Sequence, residues 1–236
     1  MKIDKRLIVL AGGLGTRLRS VVNDVPKPMA PIRGIPFLQY LLEYWIGQGI
    51  QEVVLSVGYK SGEIKNYFGN IFCGLPLRYA VESSPLGTGG AVRNCLSVIN
   101  SNAQNTIIIN GDTWFEVNLR HLIENMKSIN YPVKIVLKKI DNNNRYDGVG
   151  FDSSGIINEF GIKNSKEIYI NAGCYWVDHD FLSEYLKIYP DKFSFEADVL
   201  VKLAKEQLLY GHIQDGQFCD IGIPEDYKKI DSIIKR

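Results

Sequence analysis

Between residues 7 and 138, short apolar runs alternate with segments of helical period, and this alternation constrains the fold more than any other feature. The apolar runs span 7–10, 53–57, 77–81, 106–110 and 133–138; helical patterns span 36–48, 62–68, 90–98 and 119–129. Such alternation predicts an α/β domain with a single doubly wound, mostly parallel, Rossmann-like sheet and right-handed crossovers. Ligands of such sheets bind at the carboxyl ends of the strands. Residues just past 10, 81 and 110 are therefore the first functional candidates.

After the polar loop Asp141-Asn142-Asn143-Asn144 the pattern changes. Shorter strands are expected at 148–151, 156–160 and 168–177, and helices at 179–186, 197–206 and 224–235. Glu225 and Asp226 suit the start of the last helix, and Lys235 and Arg236 its end. A chain of 236 residues suffices for one α/β domain, or one with a small added lobe. No repeat, low-complexity tract or interdomain linker is present.

The net charge of +1 argues against a nucleic-acid partner, so any cationic site must be local. The N-terminus is charged and has no long apolar stretch, which argues against a signal peptide or membrane span. Cys73, Cys95, Cys174 and Cys219 are scattered without a Cys-x-x-Cys pair. They read as reduced, mostly packed thiols of a cytoplasmic protein. His121, His179 and His212 have no metal-ligand spacing.

The first expected strand runs into Leu10-Ala11-Gly12-Gly13-Leu14-Gly15-Thr16-Arg17-Leu18, followed by Pro26-Lys27-Pro28-Met29. Glycines allow the backbone close to a ligand, and consecutive N–H groups then hold phosphate oxygens. Arg17 adds a forked cation; Lys27 adds a point charge braced by two prolines. Together they read as a triphosphate site. The loop is not a Walker motif, because no Gly-Lys-Ser/Thr closes it. The dinucleotide fingerprint fails at Leu18, where a third glycine belongs.

The whole string resembles the signature of the sugar-phosphate nucleotidyltransferases, the enzymes that make nucleotide sugars. Further segments resemble that family as well. Glu82-Ser83-Ser84-Pro85-Leu86-Gly87-Thr88-Gly89-Gly90-Ala91 matches the segment that meets the nucleobase. Guanine offers two adjacent donors that one carboxylate accepts together, whereas uracil and thymine would set carbonyls against it. Glu82 thus favours guanine. By the resemblance Leu10, Ala11, Gly12, Gly13, Gly15, Thr16, Glu82, Pro85, Gly87, Thr88 and Asp112 bind nucleotide. Asn110-Gly111-Asp112 and Asp220-Ile221-Gly222-Ile223-Pro224 match the two metal-ligand motifs. The resemblance makes Asp112 and Asp220 ligands of Mg²⁺, against the plainer reading of Asp220 as a helix cap.

Sugar phosphate is expected at Lys163, Asn171 and Gly173. Two departures stand here: Ile162 replaces the family's glutamate, and Asp147 occupies a glycine position, adding an acceptor. The likeness runs from residue 7 to 227. It implies a nucleotide-binding half of about 1–140 and a sugar-phosphate-binding half of about 141–236. There is no C-terminal hexapeptide repeat, so the added β-helix of larger relatives is not expected.

The implied reaction joins GTP and a sugar 1-phosphate, with Arg17 and Lys27 as the catalytic cations. Among subgroups, the chain resembles most the short guanylyltransferases acting on D-glycero-α-D-manno-heptose 1-phosphate, which serve capsule or surface glycans. Mannose 1-phosphate is the nearest alternative sugar, followed by a uridylyl or thymidylyl enzyme. A silent nucleotide-sugar-binding regulatory subunit would have lost Arg17, Lys27, Asp112, Lys163 and Asp220 first. Homo-oligomerisation stays open.

Overall fold

The computed structural model describes residues 5–13, 22, 25–99, 104–141, 146–162 and 167–234. The strands are β1 (Arg6–Leu10), β2 (Pro31–Ile32), β3 (Ile35–Pro36), β4 (Glu52–Val57), β5 (Ile71–Phe72), β6 (Leu75–Val81), β7 (Asn105–Asn110), β8 (Thr113–Phe115), β9 (Val133–Asp141), β10 (Gly148–Phe151), β11 (Ile157–Ile162), β12 (Glu167–Asp178), β13 (Leu209–Ile213) and β14 (Phe218–Asp220). The α-helices are α1 (Phe37–Gly47), α2 (Ser61–Phe68), α3 (Gly87–Val98), α4 (Leu119–Met126), α5 (His179–Tyr185), α6 (Val201–Lys205) and α7 (Pro224–Ile233).

One ten-stranded sheet runs β11-β10-β12-β7-β1-β4-β6-β5, with β9 joined to β12 and β13 to β9. Its heart is parallel: β7, β1, β4 and β6 lie side by side. Strand β12 then pairs antiparallel with both β7 and β9. The second half therefore extends the same sheet, as a mixed margin. Alternate residues serve opposite faces. Leu7 and Val9 of β1 join one core cluster with α1, α2 and α4, and Ile8 joins another with α3 and α5. Helices on both faces bury the middles of β7, β1 and β4, which is why those strands read as apolar runs.

The structure departs from expectation at several elements. The helix expected at 197–206 is a π-helical segment, Phe195–Leu200, that continues into α6. Ser194 caps it by accepting the Ala197 N–H at 3.0 Å. The short strands β2, β3, β5, β8 and β14 carry too few residues to display a period. Cys95, Cys174 and Cys219 are buried thiols outside any disulfide, and burial pushes the Cys95 thiol up to about 12.

Candidate active site

The parallel strands end together, and their trailing loops continue the ladder sideways. Ala11 N–H donates to Ser56 O at 3.0 Å, Gly111 N–H to Leu10 O at 2.9 Å, and Glu82 N–H to Val57 O at 2.8 Å. These bonds build the floor of a cavity of about 540 Å³. Every described residue expected to bind nucleotide lines it: Leu10, Ala11, Gly12, Gly13, Glu82, Pro85, Gly87, Thr88 and Asp112, together with Lys27. Gly15, Thr16, Arg17 and Lys163 lie outside the described residues.

The Glu82 carboxylate spans two loops. Its Oε1 accepts from Ser56 Oγ at 3.0 Å and its Oε2 from the Leu86 N–H at 3.1 Å. It thus shapes the loop entering α3 while facing the cavity, and each oxygen keeps a further lone pair. A Cβ on residue 12 would lie 2.6 Å from Glu82 Oε1, so a side chain there would displace the carboxylate. Gly87, at φ +72°, starts α3 in the left-handed region, where an L side chain would be strained. The Thr88 hydroxyl accepts the Phe195 N–H at 2.9 Å and donates to Glu196.

The opposite wall carries the charges. Lys27, within the 3-10 turn Lys27–Met29, ion-pairs with Asp112. Its Nζ is also 3.6 Å from Asp220 Oδ1. The two aspartates meet because β8 pairs with β14, setting Thr113 opposite Asp220. Ile221 N–H donates to Asp112 O at 3.0 Å. Asp220 does not cap α7, whose N-cap position is Ile223. Its Oδ1 accepts the Gly222 N–H at 2.7 Å instead, a local turn. Burial, then the nearby Asp112 charge, hold the Asp220 carboxyl above its usual range, against the pull of Lys27.

The expected sugar residues stand apart. Asp147, Asn171 and Gly173 do not line this cavity. Asn171 lies at a bulge in β12, where its Oδ1 accepts the Gly173 N–H at 2.9 Å and its Nδ2 donates to Tyr175 at 2.8 Å. Gly173 presses against the Asn110 side chain, which does line the cavity. Sequence reasoning missed Ser56, Gly58, Tyr59, Asn110 and Glu196 as lining residues. Ser56, Gly58 and Tyr59 lie at or just past a strand end, a signal that was available. Glu196 carries none. Among the described residues no group of three His, Cys, Asp or Glu is placed to hold a metal ion, and no helix is long and apolar enough to cross a membrane.

The sequence model of a family described as nucleotidyl transferase matches residues 6–236. The chain is 44% identical over 223 residues to the D-glycero-alpha-D-manno-heptose 1-phosphate guanylyltransferase of Aneurinibacillus thermoaerophilus, covering 94% of this chain and 95% of that one. Its identity to the Campylobacter jejuni protein of the same name is 40% over 221 residues, covering 93% and 96%. The crystal structure of HddC from Yersinia pseudotuberculosis matches with a TM-score of 0.84 at 37% identity, covering 98% of this chain and 99% of that one. HddC complexed with GMP-PN matches with a TM-score of 0.83 at the same identity and coverage.

Proposed function

Because this chain belongs to the nucleotidyl transferase family, we propose that it transfers GMP from GTP to D-glycero-α-D-manno-heptose 1-phosphate, giving GDP-heptose and pyrophosphate. The observation that carries this reading is the cavity with a base-reading carboxylate, Glu82, on one wall and the Lys27–Asp112 pair on the other. The near full-length likeness to two heptose 1-phosphate guanylyltransferases supports the choice of sugar.

A sugar 1-phosphate oxygen attacks the α-phosphorus of GTP; the bond to the β-phosphate oxygen breaks and pyrophosphate leaves with the electron pair. A phosphate dianion is already nucleophilic, so the protein's task is to hold two anions together and stabilise developing charge. Lys27 stabilises the α-phosphoryl group in transit. Arg17 and the N–H groups of the glycine loop hold the departing pyrophosphate. Lys163 neutralises the incoming sugar phosphate. Residues of about 1–140 thus serve the nucleotide and those of about 141–236 the sugar phosphate.

Asp112 and Asp220 suit Mg²⁺. They are hard oxygen donors converging on one cation, and the burial and like charge that raise Asp220 are costs a divalent ion offsets. When bound there, Mg²⁺ supplies charge neutralisation on the phosphate oxygens.

The test is pyrophosphate release from four nucleoside triphosphates against heptose, mannose and glucose 1-phosphates. The highest kcat/KM is expected for GTP with D-glycero-α-D-manno-heptose 1-phosphate. Equal or better turnover of α-mannose 1-phosphate would overturn the heptose assignment.

A further inference from the structure

Glu196 is the one residue beyond Asp112 that lines the cavity among the described residues. It rides on the π-helical segment Phe195–Leu200, a rare geometry found frequently at functional sites. Its Oε2 is pinned from two sides, accepting from Ser194 Oγ at 3.2 Å and from the Thr88 hydroxyl. The segment itself is tied to α3: Phe195 N–H donates to Thr88 Oγ1 at 2.9 Å, and Gly89 N–H to Phe193 O at 3.0 Å. Glu196 Oε1 receives no hydrogen bond among the described residues. The result is a fixed carboxylate with an open acceptor, facing a site otherwise suited to phosphates.

A carboxylate repels phosphate, so its ligand partner must be a hydroxyl or an N–H. The base edge is already matched by Glu82. On the sugar side one carboxylate is missing: Ile162 stands in the family's glutamate position. We infer that Glu196 is a specificity-determining residue that accepts a hydroxyl of the sugar 1-phosphate. This rests on the guanylyltransferase reading above, and it assigns to the π-helical segment the contact that tells one sugar from another.

Glu196→Gln tests it. The amide oxygen keeps accepting from Thr88 and Ser194, while an NH₂ donor replaces the open acceptor. KM for the sugar 1-phosphate and for GTP are measured separately by pyrophosphate release on the full chain, with the melting temperature alongside. Expected is a rise in sugar KM on the order of tenfold to a hundredfold, GTP KM within about twofold, an unchanged melting temperature, and recovery of part of the sugar KM in Glu196→Asp. An unchanged sugar KM, or a GTP KM that rises in step with it, overturns the inference and leaves Glu196 as a clamp for α3. If the wild-type chain turns over no sugar 1-phosphate with GTP, the parent reading fails first; if it does and Glu196→Gln matches it, only this inference fails.

Discussion

Asp220 lies opposite Thr113 in the β8–β14 ladder, and this one pairing brings its carboxylate within 3.6 Å of the Lys27 ammonium that is already bound to Asp112. Lys27 is thus the shared counter-ion of two aspartates from distant parts of the chain. The same geometry that lets a lysine bridge them suits them to share a divalent cation.

Lys27→Ala is expected to lower kcat by about 10²–10³, the usual cost of losing one preorganised stabiliser of transition-state charge. Stopped assays of pyrophosphate release, with circular dichroism to confirm folding, check it. A folded variant with wild-type kcat removes Lys27 from the phosphoryl transfer.

Asp112→Asn and Asp220→Asn should each abolish the Mg²⁺-dependent rate, because an amide oxygen is a weaker donor to a hard cation. Mg²⁺ titrations of activity decide the point. A variant that keeps the wild-type titration curve has lost only the charge that pairs with Lys27.

Glu82→Gln should keep the loop and lose the base preference. The amide oxygen still accepts the Leu86 N–H, and the Ser56 hydroxyl reverses to accept from the new NH₂. One guanine donor then faces a donor. The ratio of kcat/KM for GTP over UTP should fall on the order of 10²-fold. An unchanged ratio means that backbone groups read the base.

His212 sets an acid limit on stability. Burial, then the charge of His121, hold its imidazole below the usual 6.5, and its Nε2 is buried without a hydrogen-bond partner among the described residues. His179 is lowered too, chiefly by burial. A folded-state value below the unfolded one means that the unfolded chain takes up protons first. This contribution to stability is therefore full above the unfolded value and declines as the pH falls through it. The melting temperature should drop between about pH 7.5 and about pH 5.5, which brackets the free imidazole value. His212→Phe should flatten that decline; a parallel curve would assign the acid sensitivity elsewhere.

What the sequence determined by itself is what short spacing can encode. Largely apolar runs specified the parallel centre β7-β1-β4, since strands covered on both faces can be apolar at nearly every position. Glycines after β1 and carboxylates after β6 and β7 marked the carboxyl edge. The tertiary structure decided what depends on segments meeting from afar. Nothing near Asp220 announces that β14 pairs with β8, a three-residue strand with no period of its own. Nothing near Glu82 names Ser56 as its partner. Glu196 reaches the cavity only because the segment Phe195–Leu200 packs on α3, through bonds between residues about a hundred positions apart. Local spacing records which face a residue takes, and long-range packing alone determines which distant residue it will face there.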